Sequence, residues 1–202
     1  DFSSAAFIII AALISKKSKV LIKNVGLNTT RKGLLEVLLG MNANIKIVNQ
    51  RKTCNETCGD LIVESSNLEG IEVSDSIIPN IIDEIPILSV AASFAEGETV
   101  IKNASELKVK ESDRLKAISD GLEAMNIKHE MLEDGLIICG QNNNVSVSKE
   151  IDSFGDHRIA MSFLVAGMRS KEGIIVKNCK NIETSFPNFL NTMNALGMKI
   201  HG

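Results

Sequence analysis

A chain of 202 residues with 44% hydrophobic content can bury one substantial core or two small ones, and its composition is neither disordered nor fibrous. With 22 basic against 25 acidic residues the net charge is −3, so no overall basic field attracts nucleic acid, and without Trp or Tyr there are few platforms for stacking bases. The most apolar run, 5–14, is too short to span a bilayer and has no basic segment before it, which predicts a cytoplasmic protein with neither a nucleic-acid nor a membrane partner.

The chain opens at Asp1-Phe2-Ser3-Ser4 without a Met and passes at once into that apolar run, so it reads as a piece of a longer polypeptide. Residues 5–14 predict a buried helix, with Lys16 and Lys17 just past its end where the dipole favours cations. Residues 19–24 predict a strand, Thr29-Thr30 a cap for a helix over 31–41, and 45–48 and 61–64 two further strands joined by a polar loop containing Cys54 and Cys58. No second close cysteine pair follows, and His129, His157 and His201 are scattered. Cys139 and Cys179 sit in or beside strand-like runs, so the four cysteines predict reduced thiols and no metal site.

The same series then recurs. Residues 85–95 predict a helix, 98–103 a strand, 112–125 a helix capped by Ser112 or Asp113, and 127–131 and 136–139 two strands with a tight hairpin turn at Asp134-Gly135. A third series gives a helix over 157–169, a strand over 173–178, a helix capped by Thr184 or Ser185 with Pro187 in its first turn, and a closing run over 198–201. Short strand-like runs at 71–73 and 145–147 introduce the second and third series, giving units of about 1–68, 69–141 and 142–202. Lys-Asn closes the matching strand at 23–24, 102–103 and 177–178, a spacing of 79 and then 75 residues. Asp1, Asp83 and Asp156 stand at or just before the three leading helices. If those helices run parallel about a pseudo-threefold axis, their N-termini converge on one face and offer a positive field and free N–H groups to an anion.

From the repeated lysine to the lysine of the next strand is 23 residues in unit one (to Lys46), 26 in unit two (to Lys128) and 22 in unit three (to Lys199). The surplus in unit two belongs to the strand-to-helix loop, where Lys108, Lys110, Glu111 and Arg114 lie. Lys110 and Arg114, four apart, can share one side of the helix entry while Glu111 leaves in another direction. Cations there oppose the helix dipole, and a bound phosphate or carboxylate would offset that cost. Phe154-Gly155-Asp156-His157-Arg158 repeats the pattern: the glycine allows close backbone approach, and Arg158 opens an otherwise apolar helix. Carboxylates of Asp83-Glu84-Ile85-Pro86 stand at the matching end of unit two. Arginines for anions, a lysine, and carboxylates for protons suit transfer chemistry on a phosphorylated substrate without a metal.

Asp83-Glu84-Ile85-Pro86, the octet Leu107-Lys108-Val109-Lys110-Glu111-Ser112-Asp113-Arg114, Gly155-Asp156-His157-Arg158 and Ser185-Phe186-Pro187 together resemble the second half of the 5-enolpyruvylshikimate-3-phosphate synthase family, as does the opening Asp1-Phe2-Ser3-Ser4-Ala5. The resemblance covers essentially the whole chain. It implies an α/β fold, one domain (1–202) of an inside-out α/β barrel built from three βαβαββ repeats about a pseudo-threefold axis, with its partner domain outside this chain. It further implies that Asp83, Lys110 and Glu111 are catalytic and that Asp83, Lys110, Arg114 and Arg158 bind substrate. Asp83 would act as base on the shikimate 5-hydroxyl, Glu111 would handle a proton at the enolpyruvyl methylene carbon, and Lys110 would bridge the two substrates, shikimate 3-phosphate and phosphoenolpyruvate. No cofactor is implied. Two positions depart from the pattern: Glu106 stands where some members have Asn, and Thr184 where some have Lys. No role is assigned to these two, to Asp156 or to His157. With the other domain missing, the fragment alone is expected to be inactive. Alternatives are half of a UDP-N-acetylglucosamine enolpyruvyl transferase, or a non-catalytic scaffold, which the clustered cations disfavour.

Overall fold

The computed structural model describes residues 1–28, 33–53, 56–143 and 145–201. In unit one, α1 (Phe2–Ile14) leads into β1 (Lys19–Gly26), α2 (Gly33–Gly40) and the hairpin of β2 (Asn44–Thr53) and β3 (Glu56–Glu64), with β3 central and antiparallel to both neighbours. Unit two repeats that order: α3 (Ile78–Ile81), α4 (Ile85–Ser93), β4 (Gly97–Ile101), α5 (Arg114–Ala124), β5 (His129–Met131) and β6 (Leu136–Gly140), with β6 central. Parallel bridges Glu69↔Glu96 and Glu72↔Val100 add the preceding segment along β4. Unit three has β7 (Ile151–Asp152), α6 (His157–Ala166), β8 (Val176–Lys177), α7 (Ile182–Ser185) and α8 (Phe189–Ala195), with β7 parallel to β8.

The core lies where α1, α4 and α6 pack against one another, each with a sheet on its outer side. A helix enclosed on all sides is apolar all round, and every residue of α4 is buried. Its two serines meet that constraint by bonding back along the helix, Ser89 Oγ to Ile85 O (2.9 Å) and Ser93 Oγ to Ser89 O (2.8 Å). At the C-terminal pole of the three helices Arg169 Nη1 donates to Ile14 O (2.8 Å) while its guanidinium lies 4.9 Å from the Phe94 ring centroid.

The repeated Lys-Asn has a backbone cause. Asn24, Asn103 and Asn178 have φ of 58°, 55° and 61°, the left-handed conformation in which Asn is enriched among non-glycine residues. Asn103 and Asn178 turn the chain off β4 and β8 toward the next helix, whereas Asn24 lies within β1, at the bulge between Ile22 and Val25. The connection from β4 to α5 in unit two takes residues 102–113, against 178–181 between β8 and α7 in unit three, so the long loop lies where the counting placed the surplus.

Several expected elements come out differently. The polar loop around Cys54 and Cys58 is largely hairpin: β2 and β3 extend through it, Cys58 lies in β3, and Cys54 is outside the described residues, as are Thr29 and Thr30 with the cap expected there. Cross-strand pairing carried the ladder past the apolar residues that marked it. The turn at Asp134-Gly135 is tight as expected, Leu132 N donating to Gly135 O (2.9 Å) between β5 and β6. Gly135 serves spacing there, since a Cβ would stand 1.9 Å from Ile101 O. The strand expected over 173–178 shrinks to Val176–Lys177, and 198–201 joins no ladder; Asn194 holds Ile200 through both its amide groups instead. Thr184 and Ser185 end α7 and cap nothing, because Pro187 separates α7 from α8, whose N-cap is Asn188.

Candidate active site

Two of the three leading aspartates are helix caps. Asp1 accepts from Ser3 N (3.2 Å) at α1, and Asp156 from Arg158 N (2.8 Å) and Ile159 N (3.3 Å) at α6. Asp83 is not a cap: it sits with Glu84 in a 3-10 turn (Ile82–Glu84) that leads into α4, and Glu84 takes the N-cap position without a side-chain cap bond. Glu84 instead accepts from Ser3 Oγ (2.6 Å) and lies 3.5 Å from Arg158 Nη1, tying the starts of α1, α4 and α6 together. The three N-termini converge on one face, the geometry that the repeats predict.

The unit-two loop delivers its charges to that face. A 3-10 turn (Ser105–Val109) is anchored by buried Ala104 and Leu107, and Asp113 caps α5 by accepting from Lys116 N (3.0 Å). Arg114, the first residue of α5, is only 1% exposed and binds three carboxylates: Nε to Asp156 Oδ2 (2.7 Å), Nη1 to Asp83 Oδ1 (2.9 Å) and Nη2 to Glu111 Oε2 (2.5 Å). Glu111 therefore does not diverge from Arg114 as the spacing suggested. Lys110 precedes the helix in extended backbone, which leaves Glu111 and Arg114, three apart, facing one another across the cap. Lys110 Nζ stands 2.5 Å from Glu106 Oε1 and 3.6 Å from Asp83 Oδ1. Arg158 Nη1 donates to Asp83 O (2.9 Å), and its Nη2 lies 3.9 Å from Asp83 Oδ2.

Asp83, Lys110, Glu111, Arg114 and Arg158 are thus in one constellation. Burial works to raise the Asp83 carboxyl, but Arg158, then the Arg114 hydrogen bond and Lys110, outweigh it and hold Asp83 below the usual carboxylate range. The Glu106 hydrogen bond, against some burial and with help from Asp83, pushes Lys110 above the usual lysine value, so it is charged at neutral pH. Burial pulls His157, at the start of α6, below the usual imidazole value. Lys110 and Arg158 lie near the surface with Arg114 beneath them, and Asp83 and Glu111 are each about half exposed, an arrangement with cations suited to a phosphate or carboxylate and carboxylates suited to proton exchange.

Glu84, Ser3 and Ser112, whose Oγ lies 3.3 Å from Asp156 Oδ2, support this site, although the sequence marked Ser112 only as a candidate cap and Glu84 and Ser3 only as members of their motifs. The available signal was an acid set directly before a wholly apolar helix. Gly155 has a φ of +75°, and a Cβ there would meet no other protein atom closer than Asn181 Nδ2 at 3.6 Å, so within the chain it is the positive φ that calls for glycine. Thr184 is exposed, donating Oγ1 to Asn181 O (2.8 Å). Among the described residues no group of three His, Cys, Asp or Glu side chains is placed to hold a metal ion, and no helix is long and apolar enough to cross a membrane.

The family model of EPSP synthase (3-phosphoshikimate 1-carboxyvinyltransferase) matches residues 1–193. Among curated relatives, the 3-phosphoshikimate 1-carboxyvinyltransferase of Magnetococcus marinus is 46% identical over 200 residues, covering 99% of this chain and 45% of the relative. That of Petrotoga mobilis is 49% identical over 189 residues, covering 94% and 44%. A solved EPSP synthase from Acinetobacter baumannii superposes with a TM-score of 0.95 at 40% identity, over 98% of this chain and 46% of that one. The enolpyruvyl transferase NikO from Streptomyces tendae, at 16% identity and a TM-score of 0.74 over 100% of this chain and 44% of its own, shares the fold. The chain spans about half the length of the curated relatives it matches, and it folds as half of an inside-out α/β barrel. Helix triad, enlarged loop and relatives together place the chain in the EPSP synthase family.

Proposed function

We propose that this chain supplies one half of an enzyme that joins phosphoenolpyruvate to the 5-hydroxyl of shikimate 3-phosphate with release of phosphate. The observation that carries the reading is the Arg114 hub, a buried guanidinium that draws Asp83, Glu111 and Asp156 together beside Lys110 and Arg158 at the convergent helix starts. In the addition step the 5-oxygen bonds to C2 of phosphoenolpyruvate as Asp83 accepts the hydroxyl proton and Glu111 delivers a proton to the methylene carbon. In the elimination step the C2–O bond to phosphate breaks and Glu111 takes a proton back from the methyl carbon, restoring the double bond. Arg158 and Arg114 hold phosphoenolpyruvate, and Lys110 spans the two substrates. Glu111 precedes the helix and is half exposed, so it can leave Arg114 when an anion arrives.

The other half of a full-length relative's chain would close the site, in the cytoplasm, and hold most of the shikimate phosphate. The 202-residue chain alone is therefore expected to release no phosphate from the two substrates together, whereas the complete protein turns over. Lys110→Ala in the complete protein should lower kcat/KM by about 100-fold or more, in line with the loss of one preorganised cation. Normal turnover by that variant, or full activity of the 202-residue chain, would reject the assignment.

A further inference from the structure

The charge balance of this site is unusual for one that takes an anion. Three cations, Lys110, Arg114 and Arg158, face five carboxylates, Asp83, Glu84, Glu106, Glu111 and Asp156. Asp156 is fully buried as a helix cap, Glu84 is buried where it ties the three helix starts together, and Asp83 is held by all three cations. Only Glu106 and Glu111 have side chains more than half exposed and able to swing away, at 58% and 53%. Each occupies a cation from its own loop: Glu111 takes Arg114, and Glu106, one turn back, takes Lys110.

We infer that Glu106 is a positioning and specificity-determining residue, an internal stand-in anion that holds the Lys110 ammonium beside Asp83 and must be displaced by an anionic ligand. The inference rests on the reading of Lys110 as an anion-binding group. Its physical basis is local. Ala104 and Leu107, buried in the core, fix the 3-10 turn, so Glu106 is presented outward at the level of Lys110, and the extended residue Lys110 folds its side chain back onto it. A single small anion gains little by replacing a carboxylate already in place. A ligand with two anionic groups can engage Lys110 and Arg158 together, so the pair filters out monovalent and simple inorganic anions.

The test compares the wild-type chain with Glu106→Gln, which keeps the shape and removes the charge, and with Glu106→Ala as a second exposed-site variant. Inorganic phosphate and phosphoenolpyruvate are titrated separately by calorimetry, and the Lys110 ammonium is followed by NMR of labelled lysine. Both variants should bind inorganic phosphate about three- to tenfold more tightly than wild type, with a smaller gain for phosphoenolpyruvate, consistent with removing one unit charge a few ångströms from the ligand. The Lys110 pKa should fall in both variants, a change that a purely structural role for Glu106 would not produce. Combining Glu106→Gln with Lys110→Met should erase the gain. Equal or weaker phosphate binding by the variants, including no binding by any of the proteins, or an equal gain for both ligands, would overturn the inference. Turnover of the complete enzyme is a separate measurement: its failure would remove the proposed reaction while the anion comparison kept its outcome.

Discussion

The two oxygens of Asp156 serve different elements. Oδ1 accepts from the backbone N–H groups of Arg158 and Ile159 and so starts α6, while Oδ2 accepts from Arg114 Nε and lies within reach of Ser112 Oγ. One side chain therefore fixes a helix terminus in unit three and a guanidinium in unit two. Removing it leaves Arg114, 1% exposed, with a lost ion-pair partner that water cannot easily replace. Asp156→Ala should destabilise the chain by about 3–5 kcal/mol in urea unfolding, and Asp156→Asn, which keeps an oxygen for the cap, by clearly less. Equal losses in the two variants would show that the lost charge beside Arg114 dominates and that the cap contributes little.

At the scale of elements, three left-handed asparagines bend the chain, Asn24 at a bulge within β1 and Asn103 and Asn178 at the ends of β4 and β8. Asn103 combines a φ of 55° with a backbone N–H bonded to Asp134 Oδ2 (3.1 Å), so its role lies in the main chain. Asn103→Gly should leave stability within about 0.5 kcal/mol, and Asn103→Val should cost about 1–2 kcal/mol, because a β-branched residue resists the left-handed region. Comparable urea midpoints for the two variants would contradict this. The long connection that Asn103 opens is the one that carries Glu106 to Arg114, so the same backbone choice that ends β4 also launches the site loop. Helix packing is equally specific: a Cβ on Gly121 of α5 would lie 1.9 Å from the Phe163 ring of α6, so α5 approaches α6 only through a glycine.

Across the whole molecule the three units differ in how completely their sheets are built. β3 and β6 each lie between two antiparallel neighbours, whereas β8 pairs with β7 over two residues and Ile175 beside it is 62% exposed. An apolar groove lined by Leu164, Ile174, Ile182, Leu190 and Ile200 runs along this part of the structure. Few ladder bonds and shallow burial mean low local stability, so amide exchange should be fastest in β8 and α8, intermediate in β5, and slowest in α1, α4 and the interior of α6. Uniform protection across the three units would show that the helix triad carries unit three into one cooperative block. Charge is also distributed by pole: the N-terminal ends of the triad gather the carboxylates and arginines of the site, while Lys16, Lys17, Arg169 and Lys171 surround the C-terminal ends, where the carbonyl dipoles favour cations.

What the sequence determined alone is whatever depends on near neighbours in the chain. Apolar runs specify α1, α4 and α6, an asparagine specifies each left-handed turn, and an aspartate before Arg158 specifies a cap; together these give the repeat and its enlarged loop. Where cues were weak or contradictory, as at the Cys54–Cys58 hairpin and over 173–178, strand pairing set the boundaries instead. The tertiary structure decided which charges meet, because those partners lie far apart in sequence: Arg114 with Asp83 and Asp156 at separations of 31 and 42, Arg158 with Glu84 at 74, and Ser3 with Glu84 at 81. No local pattern encodes that Arg114 is buried while Lys110, four residues earlier, remains near the surface. Burial and ion pairing are properties of the packed helices, and they appear only once the three N-termini share one face.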